Sequence, residues 1–163
     1  MVTIRDITPG DRDAINNILI ETQMFTTDEV AVALELTDTV LLNKDQKDYI
    51  VHVAEVEGNT AGYICYGPTP VTEGTYDVYW IAVAPNMQKK GVGRKLLSHV
   101  EDEIASKKGK LIIIETSSQH KYEPTRNFYI RTHYIMEARI KDFYSEGDDR
   151  LIYVKRIKLG GLG

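Results

Sequence analysis

The feature that most limits how this chain can fold is a strand that must turn directly into a helix between residues 76 and 107. Tyr76 to Val83 is almost wholly apolar or aromatic, which predicts a central strand buried on both faces. From Gly91 to Lys107, Val92, Leu96, Leu97, Val100 and Ile104 recur at three-to-four spacing, predicting an amphipathic helix that Gly109 ends. Between the two lies Ala84-Pro85-Asn86-Met87-Gln88-Lys89-Lys90, leading into Gly91-Val92-Gly93. Such a turn favours an anion. Backbone N–H groups at a helix N-terminus point outward unpaired, and the helix dipole adds partial positive charge there. Glycines let a phosphate approach the backbone, and Lys89, Lys90, Arg94 and Lys95 crowd four cations around the same turn. The dinucleotide fingerprint is absent, because its third glycine position holds Leu96. A Gly-Lys-Ser/Thr phosphate loop is absent too.

The remaining chain reads as strands and helices around this unit. Val2 to Ile7 is a strand, and Thr8-Pro9 signals a helix carried on by Ile15, Ile18 and Leu19. Thr26 followed by Glu29 has the capping-box pattern and opens a second helix to about Leu41. Tyr49 to Val56 and Thr60 to Tyr66 form a hairpin across Glu57-Gly58-Asn59. Leu111 to Ile114 is a further buried strand, followed by a helix from about Pro124 to Thr132. Strands Tyr134 to Lys141 and Arg150 to Ile157 flank a turn at Gly147-Asp148-Asp149, read as exposed. The order is β-α-α-β-β-β-α-β-α-β-β in a single domain, 1–158, with 159–163 as a frayed tail.

Composition narrows the function classes. A net charge of -4 from interspersed charges makes nucleic acid an unexpected partner, and no apolar run approaches a membrane span. The four histidines are scattered in sequence without ligand spacing, so no metal is expected. One cysteine, Cys65, sits inside an apolar strand and reads as a small buried hydrophobe. A lone cysteine and the absence of a leader pattern point to a reducing, cytoplasmic setting. Glu101-Asp102-Glu103 reads as a solvated helix face.

The string Trp80-Ile81-Ala82-Val83-Ala84-Pro85-Asn86-Met87-Gln88-Lys89-Lys90-Gly91-Val92-Gly93-Arg94-Lys95-Leu96-Leu97 resembles the acetyl-CoA motif of the GNAT N-acetyltransferase superfamily. Asn127-Phe128-Tyr129-Ile130-Arg131-Thr132-His133-Tyr134 is similar to a second signature of that family, and the element order matches along nearly the whole chain. The resemblance implies an α/β (α+β) fold: a mixed, mostly antiparallel sheet of about seven strands flanked by four helices and splayed between strands 4 and 5. Acetyl-CoA would lie between the strands ending at Val83 and Glu115. Backbone groups of Ile81, Ala82 and Val83 would pair with the thioester and pantetheine. Residues Gln88, Lys89, Lys90, Gly91, Val92, Gly93 and Arg94 would bind the pyrophosphate, with Lys95 beside them.

Acetyl transfer to an amine requires a neutral amine, a stabilised oxyanion and a proton for the departing thiolate. The resemblance puts Tyr129 where such enzymes carry a proton-donating tyrosine. Glu115 resembles the strand-end glutamate of ribosomal-protein alanine N-acetyltransferases, and Asp77 stands where other members place a glutamate or a water relay. Alternation sets Asp77, Tyr79, Ile81 and Val83 on one strand face. The chain departs from the family at Tyr122, where an asparagine is common, and at His133, where glycine is usual. Arg139 to Tyr144 resembles the loop bordering the acceptor in N-terminal acetyltransferases. The expected activity is acetyl transfer from acetyl-CoA to a primary amine, small or peptidyl. A coenzyme-binding regulatory module without turnover is the alternative, and a homodimer remains open.

Overall fold

The computed structural model describes residues 1–158; the tail expected to fray lies outside them. The strands are β1 (Val2–Asp6), β2 (Ile50–Val56), β3 (Asn59–Pro68), β4 (Thr75–Val83), β5 (Leu111–Ser117), β6 (Ile135–Ser145) and β7 (Asp148–Arg156). The helices are α1 (Arg12–Glu21), α2 (Thr27–Leu42), α3 (Val92–Ser106) and α4 (Glu123–Arg131), in the chain order expected. The strands form one mixed sheet ordered β1-β2-β3-β4-β5-β7-β6. Strand β4 pairs parallel with β5, whereas β1–β2, β2–β3, β5–β7 and β6–β7 pair antiparallel. The parallel ladder runs from Thr75–Leu111 to Val78–Ile114 and stops there, with five residues of β4 still to come. This is the expected splay. No helix among the described residues is long and apolar enough to cross a membrane.

The chain divides into two compact units, Met1–Pro68 with Tyr79–Glu103, and Thr69–Val78 with Ile104 onward. The first is built around Ile15, Ile18 and Leu19 of α1, Val30 and Ala33 of α2, and Val51, Val53, Tyr63 and Cys65 of the β2–β3 hairpin. Glu57 and Gly58 both take left-handed φ, 50° and 79°, which gives the short connection the twist a hairpin needs. At α2 the capping box forms: Glu29 N–H donates to the Thr26 hydroxyl at 3.1 Å, and Thr26 N–H donates to the Glu29 carboxylate at 3.0 Å. Before α1 the backbone first makes a 3-10 turn, Pro9–Asp11. The cause is Asp11, whose carboxylate takes back the Thr8 N–H at 2.8 Å.

Asp11 is also the electrostatic knot of this unit. Arg5 grips both of its oxygens at 2.8 Å, and the Thr60 hydroxyl donates at 2.8 Å, tying β1, β3 and the turn together. The Arg5 hydrogen bonds hold the Asp11 carboxyl well below the usual carboxylate range, against the desolvation that raises it. A depressed folded pKa adds stability that is complete above the unfolded value, about 4, and is lost as pH falls below it. Asp11→Asn is expected to destabilise the protein by about 2 kcal/mol at neutral pH, because it removes the more buried of the two carboxylates that Arg5 pairs with, Glu55 being the other. The gap between variant and wild type in urea melts should narrow below about pH 4, and a gap independent of pH would remove the ionic explanation.

In the second unit Ile112 and Ile114 of β5, Tyr129 of α4, Tyr134, and Leu151 and Tyr153 of β7 are buried, and Val154 is buried on the other sheet face, opposite Ile113. Strand β6 is the sheet edge, exposed along its whole length, with register breaks between Met136 and Ala138 and between Ile140 and Ser145. Three expectations need correction. Strand β4 is mostly half-buried, not buried on both faces, and from Tyr79 to Val83 it runs on beyond the end of its ladder with β5 at Val78. Asp148 and Asp149 are not an exposed turn; the turn is Glu146-Gly147, and both aspartates are buried at the start of β7. Ser117 Oγ and Gln119 Nε2 donate to Asp148, while Arg139 Nε (2.5 Å) and Asp142 N–H (2.9 Å) donate to Asp149. Hydrogen bonding by the Asp142 N–H and Arg139 keeps Asp149 ionised below its ordinary range. Lastly, Glu103 is no solvated charge, as described below.

Candidate active site

Strand β4 ends at Val83, and Ala84 N–H is anchored on the Ala61 carbonyl at 2.8 Å. A 3-10 turn, Pro85–Met87, then carries the chain to the loop. Ala82 is buried, with Ile81 and Val83 half-buried. Gln88, Lys89, Lys90, Gly91, Arg94 and Lys95 are exposed, and Gly93 is half-buried. Gln88 Nε2 donates back to the Val83 carbonyl at 3.2 Å, closing the loop on its own strand. Val92 is buried beneath the turn and pins the start of α3, whose first backbone bond runs from Lys95 N–H to the Gly91 carbonyl at 3.0 Å.

Two loop residues take left-handed backbone, Lys89 at φ 62° and Gly91 at φ 82°. Left-handed residues in such a turn let successive N–H groups face one concavity, which suits an anion. Around Gly91 there is open space: a Cβ built there meets nothing within 4 Å. The glycine is therefore favoured by its φ, not by the closeness of a protein neighbour. Gly91→Val is expected to weaken coenzyme A binding at least tenfold by strain of about 1–2 kcal/mol and by occupying that space. Isothermal titration reads it, and unchanged affinity would detach the loop from the pyrophosphate.

In the second unit the candidate acid and bases lie on opposite sheet faces. Tyr129 on α4 is buried among aromatic rings, 5.7 Å from Tyr153 and 6.3 Å from Tyr134 between centroids. Burial, then the neighbouring Tyr122 and Tyr153, push its hydroxyl well above the usual tyrosine range. The group stays protonated. Tyr153 pairs with Ile114 in the β5–β7 ladder, so Tyr129 covers the face of Ile112 and Ile114. Asp77 pairs with Ile113, which places it on the other face, and Glu115 lies two residues along on that same face. By strand geometry the two α-carbons are about 8 Å apart.

Each carboxylate has a partner. The Thr69 hydroxyl donates to Asp77 at 2.6 Å. Glu115 accepts a hydrogen bond from Arg150 Nη2, and the Arg150 guanidinium stacks over Phe143 at 4.7 Å. The sequence reading missed Arg150. Alternation along β7 could have found it, because Arg150 and Ile152 share the Glu115 face. Cys65 is buried as expected, and burial pushes its thiol up to about 12, which rules out a ready thiolate.

A cluster that spacing in sequence could not reveal lies in the first unit. His52 of β2 meets His99 and Glu103 of α3, with one ligand atom from each within 4.8 Å of the others. His52 Nε2 is 2.7 Å from Glu103 Oε2, His99 Nε2 is 3.3 Å from Glu103 Oε1, and the Tyr66 hydroxyl donates to Glu103. Desolvation raises the Glu103 pKa, but the hydrogen bonds from Tyr66 and His52 outweigh it and hold the carboxyl below its ordinary value.

Known proteins share this sheet, in which a parallel, splaying β4–β5 pair leads β4 through a cationic glycine turn into α3. The family model of the acetyltransferase (GNAT) family matches residues 13–134. A crystal structure of a protein from Desulfovibrio desulfuricans assigned to the GNAT family is 43% identical, covers 97% of this chain and 100% of its own, and superposes with a TM-score of 0.93. Two more distant structures share the fold. The ribosomal-protein-S18-alanine N-acetyltransferase of Escherichia coli is 20% identical at a TM-score of 0.73, covering 100% of this chain and 98% of its own. The PaiA N-acetyltransferase of Thermoplasma acidophilum, in complex with coenzyme A, is 15% identical at 0.75, covering 96% and 99%. No curated protein matches the sequence. The chain belongs to the GNAT family, and it is an acetyl-CoA-dependent N-acetyltransferase.

Proposed function

We propose that the protein transfers acetyl from acetyl-CoA to a primary amine by direct attack, with Tyr129 as general acid and Glu115, or else Asp77, as general base. What supports this reading is a tyrosine on α4 that burial keeps protonated, as a proton donor must be, together with two carboxylates, Asp77 and Glu115, on one face of the paired strands β4 and β5. The Gln88–Arg94 turn holds the pyrophosphate, with Lys95 adding charge, and the backbone of Ile81, Ala82 and Val83 aligns the pantetheine. The carboxylate takes the proton of the incoming ammonium, directly or through water, so that nitrogen attacks the thioester carbonyl as a free amine. Nitrogen–carbon bonding forms the tetrahedral oxyanion. Its collapse breaks the carbon–sulfur bond, the Tyr129 hydroxyl gives its proton to the leaving sulfur, and the nitrogen sheds its second proton to water, an equivalent proton returning to the tyrosinate.

The acceptor class is a small amine or a peptide N-terminus. Support for the latter comes from Phe143 and Tyr144, half-exposed on the β6–β7 hairpin and joined through Arg150 to Glu115. The family model spans both compact units, which supports their serving one domain, and the reduced, buried Cys65 fits a cytoplasmic setting. An acceptor screen with acetyl-CoA, reading free thiol, tests the reading. Turnover on at least one amine is expected. Coenzyme binding with no turnover on amino acids, peptides, polyamines or aminoglycosides would leave a regulatory module.

A further inference from the structure

We propose that His52, His99 and Glu103 form a binding site for a single divalent transition-metal ion, Zn²⁺ foremost. Two imidazole nitrogens and a carboxylate oxygen make the donor set that such ions prefer over Mg²⁺ or Ca²⁺, which take oxygen alone. His99 and Glu103 are one helical turn apart on α3, a spacing that puts both side chains on one face. His52, 4% exposed, meets them from the β2 strand. A tetrahedral zinc ion with ligands at about 2.0–2.1 Å spaces its ligand atoms about 3.3 Å apart. His52 Nε2 is 2.7 Å from Glu103 Oε2 and His99 Nε2 is 3.3 Å from Glu103 Oε1, and one ligand atom from each residue lies within 4.8 Å of the others. Small rotations of the Glu103 carboxylate and the partly exposed His99 ring therefore bring the set to that spacing.

The surrounding groups suit a metal centre better than a closed hydrogen-bond network. The buried Nδ1 of His52 makes no hydrogen bond, although Asp6 Oδ1 lies 3.1 Å away, at ion-pair distance but off hydrogen-bond geometry. A metal on Nε2 fixes Nδ1 as the N–H donor, and the exposed Asp6 carboxylate needs only a rotation to accept from it. The Tyr66 hydroxyl steadies Glu103 from the protein side. His99 and Glu103 are each about one-third exposed, which leaves an entry path and a position for water. These residues lie eight to twelve positions along α3 from Gly91, about 12–18 Å from the cosubstrate turn. The ion therefore clamps α3 to the β2–β3 hairpin without touching the phosphate site, and the proposal is independent of the catalytic assignments.

The test is calorimetric titration of chelator-treated full chain with Zn²⁺ alone, beside thermal melts with and without the ion. One equivalent is expected to bind, with a rise in melting temperature, since an ion that binds only the folded chain stabilises it. His99→Ala and Glu103→Gln should each weaken binding at least tenfold. His120→Ala, which removes a fully exposed histidine beside Glu123, should change nothing. X-ray absorption at the zinc edge should give only nitrogen and oxygen ligands with two imidazoles, a readout that holds even if one variant folds poorly. Absence of a one-site isotherm, or binding lost in His120→Ala and kept in His99→Ala, overturns the site.

Discussion

Tyr129→Phe is expected to lower kcat by ~10²- to 10⁴-fold, about 3–5 kcal/mol of barrier, while leaving coenzyme affinity nearly unchanged. The substitution removes one oxygen and keeps the ring against Tyr153 and Tyr134, so the packing of the second unit survives. Because burial holds the hydroxyl well above the ordinary tyrosine value, the acid is fully protonated throughout the working range. The alkaline limb of the wild-type rate profile should therefore not belong to it. A coenzyme analogue with a more acidic thiol needs less help in departing, and with it the defect should shrink. Normal turnover of Tyr129→Phe with acetyl-CoA would make the tyrosine structural and assign the proton to water.

Glu115→Gln should reduce kcat/KM by ~10²- to 10³-fold near neutral pH, with partial recovery as pH rises and free amine becomes abundant without a base. The variant also loses the charge pair with Arg150, which keeps its stacking over Phe143. Such a partly exposed pair contributes at most about 1 kcal/mol, so thermal melts separate a folding defect from a catalytic one. Asp77→Asn is the matched comparison. Asp77 shares the same sheet face and accepts a hydrogen bond from the Thr69 hydroxyl. If Asp77→Asn shows the pH-rescued loss and Glu115→Gln does not, the base is Asp77.

Periodic features were legible in the sequence. The Val92-to-Ile104 stripe, the Thr26–Glu29 box and the glycine turn each rest on local rules, and each stands where those rules place it. Long-range pairing was not legible. Asp148 and Asp149 beside Gly147 carry every local mark of a turn, yet donors from Ser117, Gln119 and Arg139 draw them inside. His52, His99 and Glu103 meet only because β2 and α3 pack together, and no spacing along the chain encodes that. His133 shows how a departure from the family pattern can be absorbed. It occupies the left-handed position after α4, φ 73°, where glycine would be unstrained.

The two register breaks in β6 govern how this protein behaves when crowded. An unbroken edge strand of eleven residues, flanked by exposed Ile135, Met136, Ile140, Phe143 and Tyr144, would be an open template for any extended chain. Each break shifts the rhythm of outward N–H and C=O groups, so a straight incoming strand finds only short stretches to match. Arg139, Glu137 and Lys141 add charge along the same edge. The exposed aromatic surface of the hairpin thus stays open to solvent without offering a continuous template for strand addition.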